Sequence, residues 1–565
     1  MLVYRTDDQP VDARIAIERL AGRLEELKSP GHDEVMSVFI EFGEIESAIV
    51  DCLFPDRDGV HPLANALRAA AIQSAHALIA SWRQETDRRE RSIERFRQCV
   101  RAVAQQQLPR TISLRTSEGY AYYALRPETY SVAAERWIRD RRPASAVCLG
   151  IRSIGCSLSS VVAAAVERSG LPISTHTVRP RGHPFDRCVV VDDSLAARLG
   201  AAHRDAHFLV VDEGPGLSGS SFASVVRALR RLGVPVDRII LFPSSNPDGS
   251  AFRSETARAI WTQHQRYSVT AHEAGCAIDD MTEESDGIDI SAGRWREVLW
   301  PAVIAPPPVQ PQHEVVKRWL PESSTIVRFA GLGRYGDAKM RRAEALADAG
   351  LGPPPLRLKD GYLSLPFIAA PAWGERCEEL IDAIANHCAC LTRIFPARRS
   401  PSIDSLFDMI VTNLHEAGGT DISLPDLEPY RAALDAAPAA AIDGRMLPHE
   451  WLRTNGTFLK VDALDHHQDH FFPGTQDAGW DLAAAVFEFD LDDGGRERLI
   501  ERYIEGSGDS DVVWRMPFYD IAYPALRLGY AVMAEASLGD TSNGRTFHTV
   551  AARCKVRVAH LLAHQ

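Results

Sequence analysis

The stretch FLVVDEGPGLSGSSF, residues 208–222, decides the fold of the middle of the chain. Four apolar residues run into Asp212-Glu213, and a loop of glycines and serines then leads to a helical pattern that begins at Phe222. A short apolar run that ends in acids and continues through such a loop into a helix is typical of a buried parallel strand. Small residues let backbone N–H groups approach an anion, and the helix N-terminus adds a favourable partial charge. We therefore predict a phosphate-binding loop with two carboxylates beside it.

The stretch lacks the Lys of the Walker phosphate loop and the G-x-G-x-x-G spacing of dinucleotide folds. It resembles the signature of type I phosphoribosyltransferases, in which four hydrophobic residues, two acids and a Ser/Thr-Gly loop bind 5-phosphoribosyl 1-diphosphate (PRPP). The resemblance implies that Asp212 and Glu213 are catalytic residues that hold the ribose. It also implies a loop that binds the 5′-phosphate, formed by Gly214, Gly216, Ser218, Gly219, Ser220 and Ser221. The alternative is a strand–turn–helix corner without a ligand.

A second glycine and serine turn follows an earlier predicted strand, residues 146–149. Sheets of this class gather ligands where their parallel strands end. By the same resemblance this turn would hold the pyrophosphate of PRPP, through Arg152, Ser153, Gly155 and Ser157. Arg179 and Arg181, in the loop between the two turns, could stabilise the leaving pyrophosphate or form a solvated basic loop.

Composition excludes several classes of protein. The 565 residues suffice for roughly three domains. A net charge of −13 argues against a nucleic-acid partner. No apolar run reaches the ~18 residues needed to cross a bilayer, and acids stand where a signal peptide would be basic and then apolar. We therefore expect a cytoplasmic protein with no membrane partner. Its ten scattered cysteines predict reduced thiols rather than disulfides.

Periodicity predicts a multidomain chain of α/β and α+β class in four parts. Residues 1–110 form a helical N-terminal region, interpreted as a cap or as a dimerisation layer of a homodimer. Residues 111–300 alternate short apolar runs with helices, which predicts the Rossmann-like parallel sheet of the phosphoribosyltransferase-like domain. Residues 301–314 are rich in proline and predict a stiff linker. Residues 315–565 form the last domain.

Three acidic segments in the last domain suit phosphoryl transfer, namely AIDGR (441–445), KVDALD (460–465) and QDAGWDLA (476–483). Their order resembles that of aminoglycoside phosphotransferases and choline kinases. The resemblance implies a bilobal kinase-like fold, ATP as co-substrate and Mg²⁺ as cofactor. It places Asp443 at the catalytic position and makes Asp462 and Asp465 competing candidates for the metal position. It also implies that Arg328 binds the nucleotide, with Glu344 as its ion-pair partner.

The segment around Asp443 departs from that family pattern in two places. Ala441-Ile442 replaces the usual His-Gly, and a residue near His449 or Glu450 replaces the catalytic-loop Asn that binds metal. Glu450 could replace that Asn as a ligand with an extra charge. Further on, His466 and His470 stand one helical turn apart and could share a metal ion, the alternative being a polar loop near the phosphate site.

The sequence therefore predicts a bifunctional enzyme. It would carry out Mg²⁺-dependent phosphoribosyl transfer, or the reverse cleavage of a ribosyl phosphate, together with ATP-dependent phosphorylation of a small metabolite. The partners expected are small molecules, namely PRPP or a ribosyl phosphate and a nucleotide. An alternative from another class is a sensor that binds PRPP or a nucleotide and has an inactive kinase-like domain. A third is that only the kinase part is active and the middle domain selects a phosphorylated substrate.

Overall fold

The computed structural model describes residues 1–5, 9–183, 186–202, 205–216, 218–250, 252, 254–278, 281, 287–300, 306–370, 377–418, 425–454 and 456–563. The chain divides into two compact units. Unit 1 comprises Met1–Asp7, Asp286–Ala330 and Asp337–Gln565, and unit 2 comprises Asp8–Ser285 and Gly331–Gly336. Helices and strands occur in both units, which confirms the mixed α/β class.

Unit 2 begins with a layer of long helices: α1 (Ala13–Glu26), α2 (His32–Leu53), α3 (Pro62–Trp82) and α4 (Thr86–Ala104). The Asp12 side chain caps α1 by accepting hydrogen bonds from the amides of Arg14 and Ile15. Every residue of α2 from Val35 to Val50 is buried, as expected of a central helix. The strand β1 (Gln9–Asp12) pairs antiparallel with β2 (Thr111–Leu114), and periodicity predicts neither the first strand nor this pairing.

A parallel sheet follows in unit 2. Its strands are β3 (Ala146–Ile151), β4 (Ile173–Val178), β5 (His207–Val211), β6 (Ile239–Phe242) and β7 (Gln265–Arg266), in the order β4-β3-β5-β6-β7. The accompanying helices are α5 (Glu118–Ala121), α6 (Glu128–Arg141), α7 (Gly155–Arg168), α8 (Asp193–Ala202), α9 (Ser220–Arg231), α10 (Glu255–Gln263) and α11 (Ala271–Ala274). The predicted parallel sheet is thus present, and the phosphoribosyltransferase fold itself stays a prediction.

Unit 1 contains an antiparallel sheet, and two α-helices lie between its strands along the chain. The strands are β8 (Ile288–Asp289), β9 (Lys317–Leu320), β10 (Thr325–Phe329), β11 (Arg357–Lys359) and β12 (Tyr362–Pro366), in the order β11-β12-β10-β9-β8. The helices of this part are α12 (Trp295–Leu299) and α13 (Arg334–Asp348), the latter belonging to unit 1 from Asp337 onward.

The rest of unit 1 is largely helical, with a small hairpin. Its elements are α14 (Glu378–Ile394), α15 (Ile403–Asn413), α16 (Arg431–Ala436), β13 (Trp451–Thr454), β14 (Thr457–Lys460), α17 (Gly479–Glu488), α18 (Asp493–Ser507), α19 (Val512–Leu538) and α20 (Ser542–Ala563). Trp480 and Tyr519 are completely buried in its core. The aromatic stripe of α19 therefore serves packing.

The proline-rich stretch differs from the predicted linker. Residues 301–305 lie outside the described residues. Residues 306–314 belong to unit 1, in the connection between β8 and β9, which pair with each other antiparallel. Val309 is buried in a cluster with Ile290 and Trp295, so the apolar side chains of this stretch fold it back onto its own unit.

Two findings concern membrane-spanning helices and the cysteines. None of the helices in the described ranges combines the length and apolarity needed to cross a bilayer. The ten cysteines are all free thiols, and six of them are buried.

Candidate functional site

The loop that carries Asp443 is held by a carboxylate of α17. Asp481, which is completely buried, accepts hydrogen bonds of 2.8 Å from the amides of both Asp443 and Gly444. Burial raises the pKa of Asp481 to about 7, and the neighbouring charge of Asp443 contributes to the rise. The acidic segment 476–483 thus positions the segment 441–445, which carries Asp443.

Asp443 itself is surrounded by nitrogen groups. Its Oδ1 lies 3.2 Å from Lys460 Nζ and 3.2 Å from His466 Nδ1, and its Oδ2 lies 3.4 Å from His387 Nε2. Burial alone would raise the pKa of Asp443, but the Lys460 ammonium and the two imidazoles outweigh it and hold the pKa well below its ordinary value. Asp443 is therefore ionised at neutral pH.

Arg328 of β10 joins the two carboxylates that follow β14. Its guanidinium donates to Asp462 Oδ1 at 2.8 Å and to Asp465 Oδ2 at 2.9 Å, and Lys339 of α13 lies 3.1 Å from Asp465. The predicted ion pair of Arg328 with Glu344 is therefore wrong. Arg328 pairs with Asp462 and Asp465, and Glu344 is exposed on α13. Glu344 is five residues from Lys339, so the helical period turns it away from the face that packs inward.

Arg342 is a site residue that sequence reasoning missed. Its guanidinium donates to the backbone oxygens of Ala463 at 2.8 Å, Ala441 at 2.9 Å and Ile442 at 3.3 Å. The side chain thereby joins the segment that precedes Asp443 to the segment that follows Asp462. The available signal was its position one turn after Lys339 on the same helix face.

A cavity of about 490 Å³ in unit 1 adjoins these groups. Its charged border includes Arg328, Glu450, Asp462 and His466, whereas Asp443 lies behind His466 and does not line it. Much of the remaining wall is apolar or aromatic and includes Trp295, Phe367, Phe471, Tyr523, Leu526 and Phe547. The cavity is therefore suited to a small organic molecule that has both apolar and polar parts.

The long connection between β8 and β9 supplies part of this wall. The Trp295 indole stacks on His449 with ring centroids 5.1 Å apart, and its Nε1 donates to Glu314 at 3.0 Å. The Lys317 ammonium lies 5.8 Å from the centre of the same indole ring. Sequence reasoning missed this wall. The signal in the sequence was the tryptophans Trp295 and Trp300 ahead of the prolines.

The described residues contain two clusters whose side-chain atoms could hold a metal ion. They are Asp443 with Glu450 and His466, and Asp462 with Asp465 and His466. Arg328 binds Oδ1 of Asp462, but the Asp462 side chain retains 31% of its exposure and borders the cavity, so its other carboxylate oxygen fits a hydrated Mg²⁺ ion. The Asp443 and Glu450 pair does not fit one, because Lys460 Nζ already contacts both carboxylates.

The two histidines that could share a metal ion have different surroundings. His466 contacts Asp443, whereas the His470 ring stacks on Tyr4 with centroids 5.2 Å apart. Burial lowers the pKa of His470 to about 3. Neither cluster of the described residues contains both imidazoles, so the interpretation of this stretch as a polar loop is the one that the geometry supports.

The predicted ribose-phosphate site lies in unit 2, directly after β5. A concavity of about 290 Å³ is lined by Arg187, Asp212, Pro215, Gly214, Gly216 and the residues 218–222, while residue 217 lies outside the described residues. The helix α9 begins at Ser220, and the Arg187 guanidinium donates to Ser221 Oγ at 2.8 Å. The small residues, a helix N-terminus and a cation thus border one opening.

The two acids of this site have raised pKa values. Burial raises the pKa of Asp212 to about 7 and that of Glu213 to about 8, and the charge of Asp212 contributes to the latter. Both side chains are half-buried. The pair can therefore change its charge around neutral pH when a ligand binds.

The second predicted turn adjoins the first one at the same sheet edge. A Cβ atom on Gly155 would lie 2.9 Å from the Val211 carbonyl oxygen and 3.3 Å from Asp212 Oδ1. Ser153, which the resemblance assigns to the pyrophosphate, has a φ angle of 127°, a value that non-glycine residues rarely adopt. The two turns that the resemblance assigns to one ligand therefore lie beside each other.

Arg152 and Ser157 are engaged inside the protein rather than presented to a ligand. The Arg152 guanidinium is buried and contacts Asp51 at 2.7 Å and Asp58 at 2.5 Å. The Ser157 hydroxyl lies 2.9 Å from the Tyr120 hydroxyl. Arg179 and Arg181 bind the same two aspartates, so the basic residues around this turn form an ion-pair network.

Replacing Asp212 by Asn is expected to stabilise unit 2, increasingly so from pH 4 to pH 8. The folded chain keeps its Asp212 proton up to about pH 7, whereas the unfolded chain loses it near 3.8, so folding stability falls as the pH rises through this interval. Asn removes that penalty, on the order of 1–2 kcal/mol for a half-buried group. Thermal unfolding at both pH values measures the effect, with the exposed Asp237→Asn as control. A gain that is equal at both pH values contradicts the raised pKa.

Comparison with known proteins finds similarity at the level of structure only. No family model matches the chain, and no curated protein sequence matches it. A choline/ethanolamine kinase family protein from Mesorhizobium loti is 19% identical over 44% of this chain and 88% of that one, with a TM-score of 0.32.

Two further solved structures are similar over the same share of this chain. The choline kinase LicA from Streptococcus pneumoniae is 16% identical over 44% of this chain and 90% of that one, with a TM-score of 0.30. An aminoglycoside phosphotransferase from Alicyclobacillus acidocaldarius is 11% identical over the same shares, with a TM-score of 0.28. Similarity at this level does not establish an activity, which depends on side chains.

Proposed function

We propose that unit 1 is a small-molecule kinase, which transfers a phosphoryl group from ATP to a hydroxylated metabolite bound in the 490 Å³ cavity. One observation carries this proposal. Asp462 and Asp465 meet Arg328 of the sheet beside the cavity, His466 of the cavity border contacts Asp443, and another carboxylate, Asp481, fixes the Asp443 loop. Such a gathering of acids and a cation around a cavity suits phosphoryl transfer, in which catalysis is mostly positioning and charge stabilisation.

We propose a role for each group from its position at the cavity border. His466 faces the cavity and contacts the ionised Asp443, so the acceptor hydroxyl would bind at His466 while Asp443 fixes the orientation of the imidazole. Arg328 borders the cavity and can donate to nucleotide phosphates. Asp462 would hold a Mg²⁺ ion, which neutralises phosphate charge when bound.

A turnover assay tests this proposal. ADP formation from ATP and Mg²⁺ is measured with a panel of amino alcohols, sugars, amino sugars and nucleosides. At least one acceptor should increase ADP formation well above the background hydrolysis and yield a phosphorylated product. A chain that is stabilised by ATP in thermal unfolding but forms no ADP with any acceptor would contradict the kinase and support the sensor.

We propose a second function for unit 2, namely binding and transfer of a phosphoribosyl group. It is supported by the concavity that places Asp212 beside the Ser218 to Ser221 loop, the start of α9 and Arg187. Carboxylates can accept hydrogen bonds from both ribose hydroxyls, and backbone amides with small hydroxyls can bind the 5′-phosphate. Because Arg152 is bound to aspartates, the pyrophosphate is assigned to the backbone around Ser153.

Titration of PRPP measures the contribution of the acid pair. The double variant Asp212→Asn and Glu213→Gln should bind PRPP at least about tenfold more weakly than the natural chain, which corresponds to about 1.4 kcal/mol. Wild-type affinity should also increase from pH 6 to pH 9, because the two acids become stronger acceptors, through both oxygens of each, once they lose their protons. Asp237→Asn, at the opposite end of the sheet, serves as control. Equal PRPP affinity in all three proteins would rule out this ribose site.

A further inference from the structure

Lys460, the last residue of β14, places its ammonium group among the acids of unit 1. Its Nζ lies 2.5 Å from Glu450 Oε2, 2.7 Å from the backbone oxygen of Asp462 and 3.2 Å from Asp443 Oδ1. The side chain is completely buried. Three oxygens from three segments thus surround one ammonium group, which has three hydrogens to donate.

A divalent cation and this ammonium group cannot occupy the same place. Mg²⁺ needs oxygen ligands at about 2.0–2.1 Å in nearly octahedral geometry and usually keeps several waters. The cluster of Asp443, Glu450 and His466 offers atoms within 4.8 Å of one another, but Lys460 already contacts both of its carboxylates. An ion there would face a positive charge at contact distance.

The backbone also holds Lys460 in place. Lys460 of β14 is paired with Trp451, the first residue of β13. Glu450, one of the two carboxylate partners of Lys460, immediately precedes β13. Withdrawal of the ammonium would leave the buried Glu450 carboxylate without its cation and Asp443 with only its imidazole neighbours, which is costly. The contact is therefore a built part of the site rather than a surface side chain that happens to fold inward.

We infer that Lys460 is a tethered cation that replaces a divalent ion between Asp443 and Glu450, so that unit 1 binds a divalent cation at Asp462 only. This inference deepens the proposed kinase function and rests on it for the role of the site. Lys460 neutralises the catalytic loop permanently, whereas the exposed side of Asp462 leaves one position for an exchangeable ion. The chain thus needs one divalent cation per transfer.

Counting bound Mn²⁺ tests the inference without any turnover. The count uses the electron paramagnetic resonance of free Mn²⁺ with a non-hydrolysable ATP analogue. All proteins carry Asp212→Asn and Glu213→Gln, so that the acids of unit 2 do not contribute. The otherwise natural unit 1 should bind no more than one Mn²⁺, and Asp462→Asn should remove it. Lys460→Met should add one ion, and a further Glu450→Gln should abolish that gain.

Two controls make the count decisive. Lys460→Arg keeps a cation at the position and should leave the count unchanged, as should Lys555→Met at an exposed lysine. A count of two with natural Lys460, or a single ion that survives Asp462→Asn, would overturn the inference. Both of these outcomes are measured on proteins that retain Lys460, so they test the inference even if Lys460→Met fails to fold. An unchanged count in a folded Lys460→Met protein also overturns it, whereas absence of ADP formation bears only on the proposed kinase.

Discussion

Asp443→Asn is expected to lower kcat for phosphoryl transfer about a thousand-fold, because the His466 imidazole at which the acceptor hydroxyl would bind loses its orienting carboxylate, and a lost general acid–base function costs about this much. Asp443 is ionised and contacts both Lys460 and His466, the imidazole that borders the cavity. Asn keeps the shape but has no charge and presents an NH₂ group to one of these donors. Initial rates of ADP formation at saturating ATP and acceptor measure the loss, and the KM values should change far less than kcat.

The same substitution at an exposed position gives a matched control. Asp435→Asn on α16 should leave kcat within about twofold. The fold of Asp443→Asn is checked by thermal unfolding, since the buried Lys460 loses half of its compensating charge. If a folded Asp443→Asn protein retains more than a tenth of the activity, the role given to the Asp443 loop is wrong.

Arg342→Met is expected to reduce the free energy of unfolding of unit 1 by about 3–5 kcal/mol. The guanidinium donates to three backbone oxygens in a buried place, and methionine would leave those oxygens unpaired at about 1–3 kcal/mol each. Because the two units need not unfold together, hydrogen exchange of peptides that cover residues 441–465 is the appropriate measurement. Their exchange should become at least about a hundred times faster, and kinase activity should fall with the loss of order around Asp443.

Arg341→Met is the control for this experiment. Arg341 is the neighbouring residue on α13 and is exposed, so its replacement should change exchange in the same peptides by less than about twofold. Peptides of the parallel sheet in unit 2 serve as an internal reference in both variants. Unchanged exchange over residues 441–465 in Arg342→Met would show that the three contacts do not hold the two segments together.

Local patterns in the sequence predicted those parts of the sites that depend on neighbours along the chain. The apolar run before Asp212 forms β5, and the serine loop leads into α9 as the spacing indicates. The acids of unit 1 were also found from the sequence, because the order of three acidic segments resembles that of a kinase family. The contact of Arg328 with Asp462 and Asp465 depends on the fold, and the family resemblance implied Glu344 as its partner instead.

Contacts between distant segments were not predictable in this way. A basic turn has the same sequence whether or not carboxylates face it, so the binding of Arg152 to Asp51 and Asp58 could not be foreseen. Whether Lys339 or Glu344 faces the interior depends on the rotation of α13 about its own axis, which the packing of the helix determines. The prolines of 306–311 suggested a linker, since composition does not show that Val309 packs on Trp295.

The most direct test of the kinase proposal follows the γ-phosphoryl group of labelled ATP. Protein, Mg²⁺ and the acceptor panel are incubated, and the label in small molecules other than phosphate is measured for the natural chain and for Asp443→Asn. We predict labelled acceptor with the natural chain and almost none with the variant. Label that stays in ATP and inorganic phosphate with both proteins, despite ATP binding, would contradict phosphoryl transfer in unit 1.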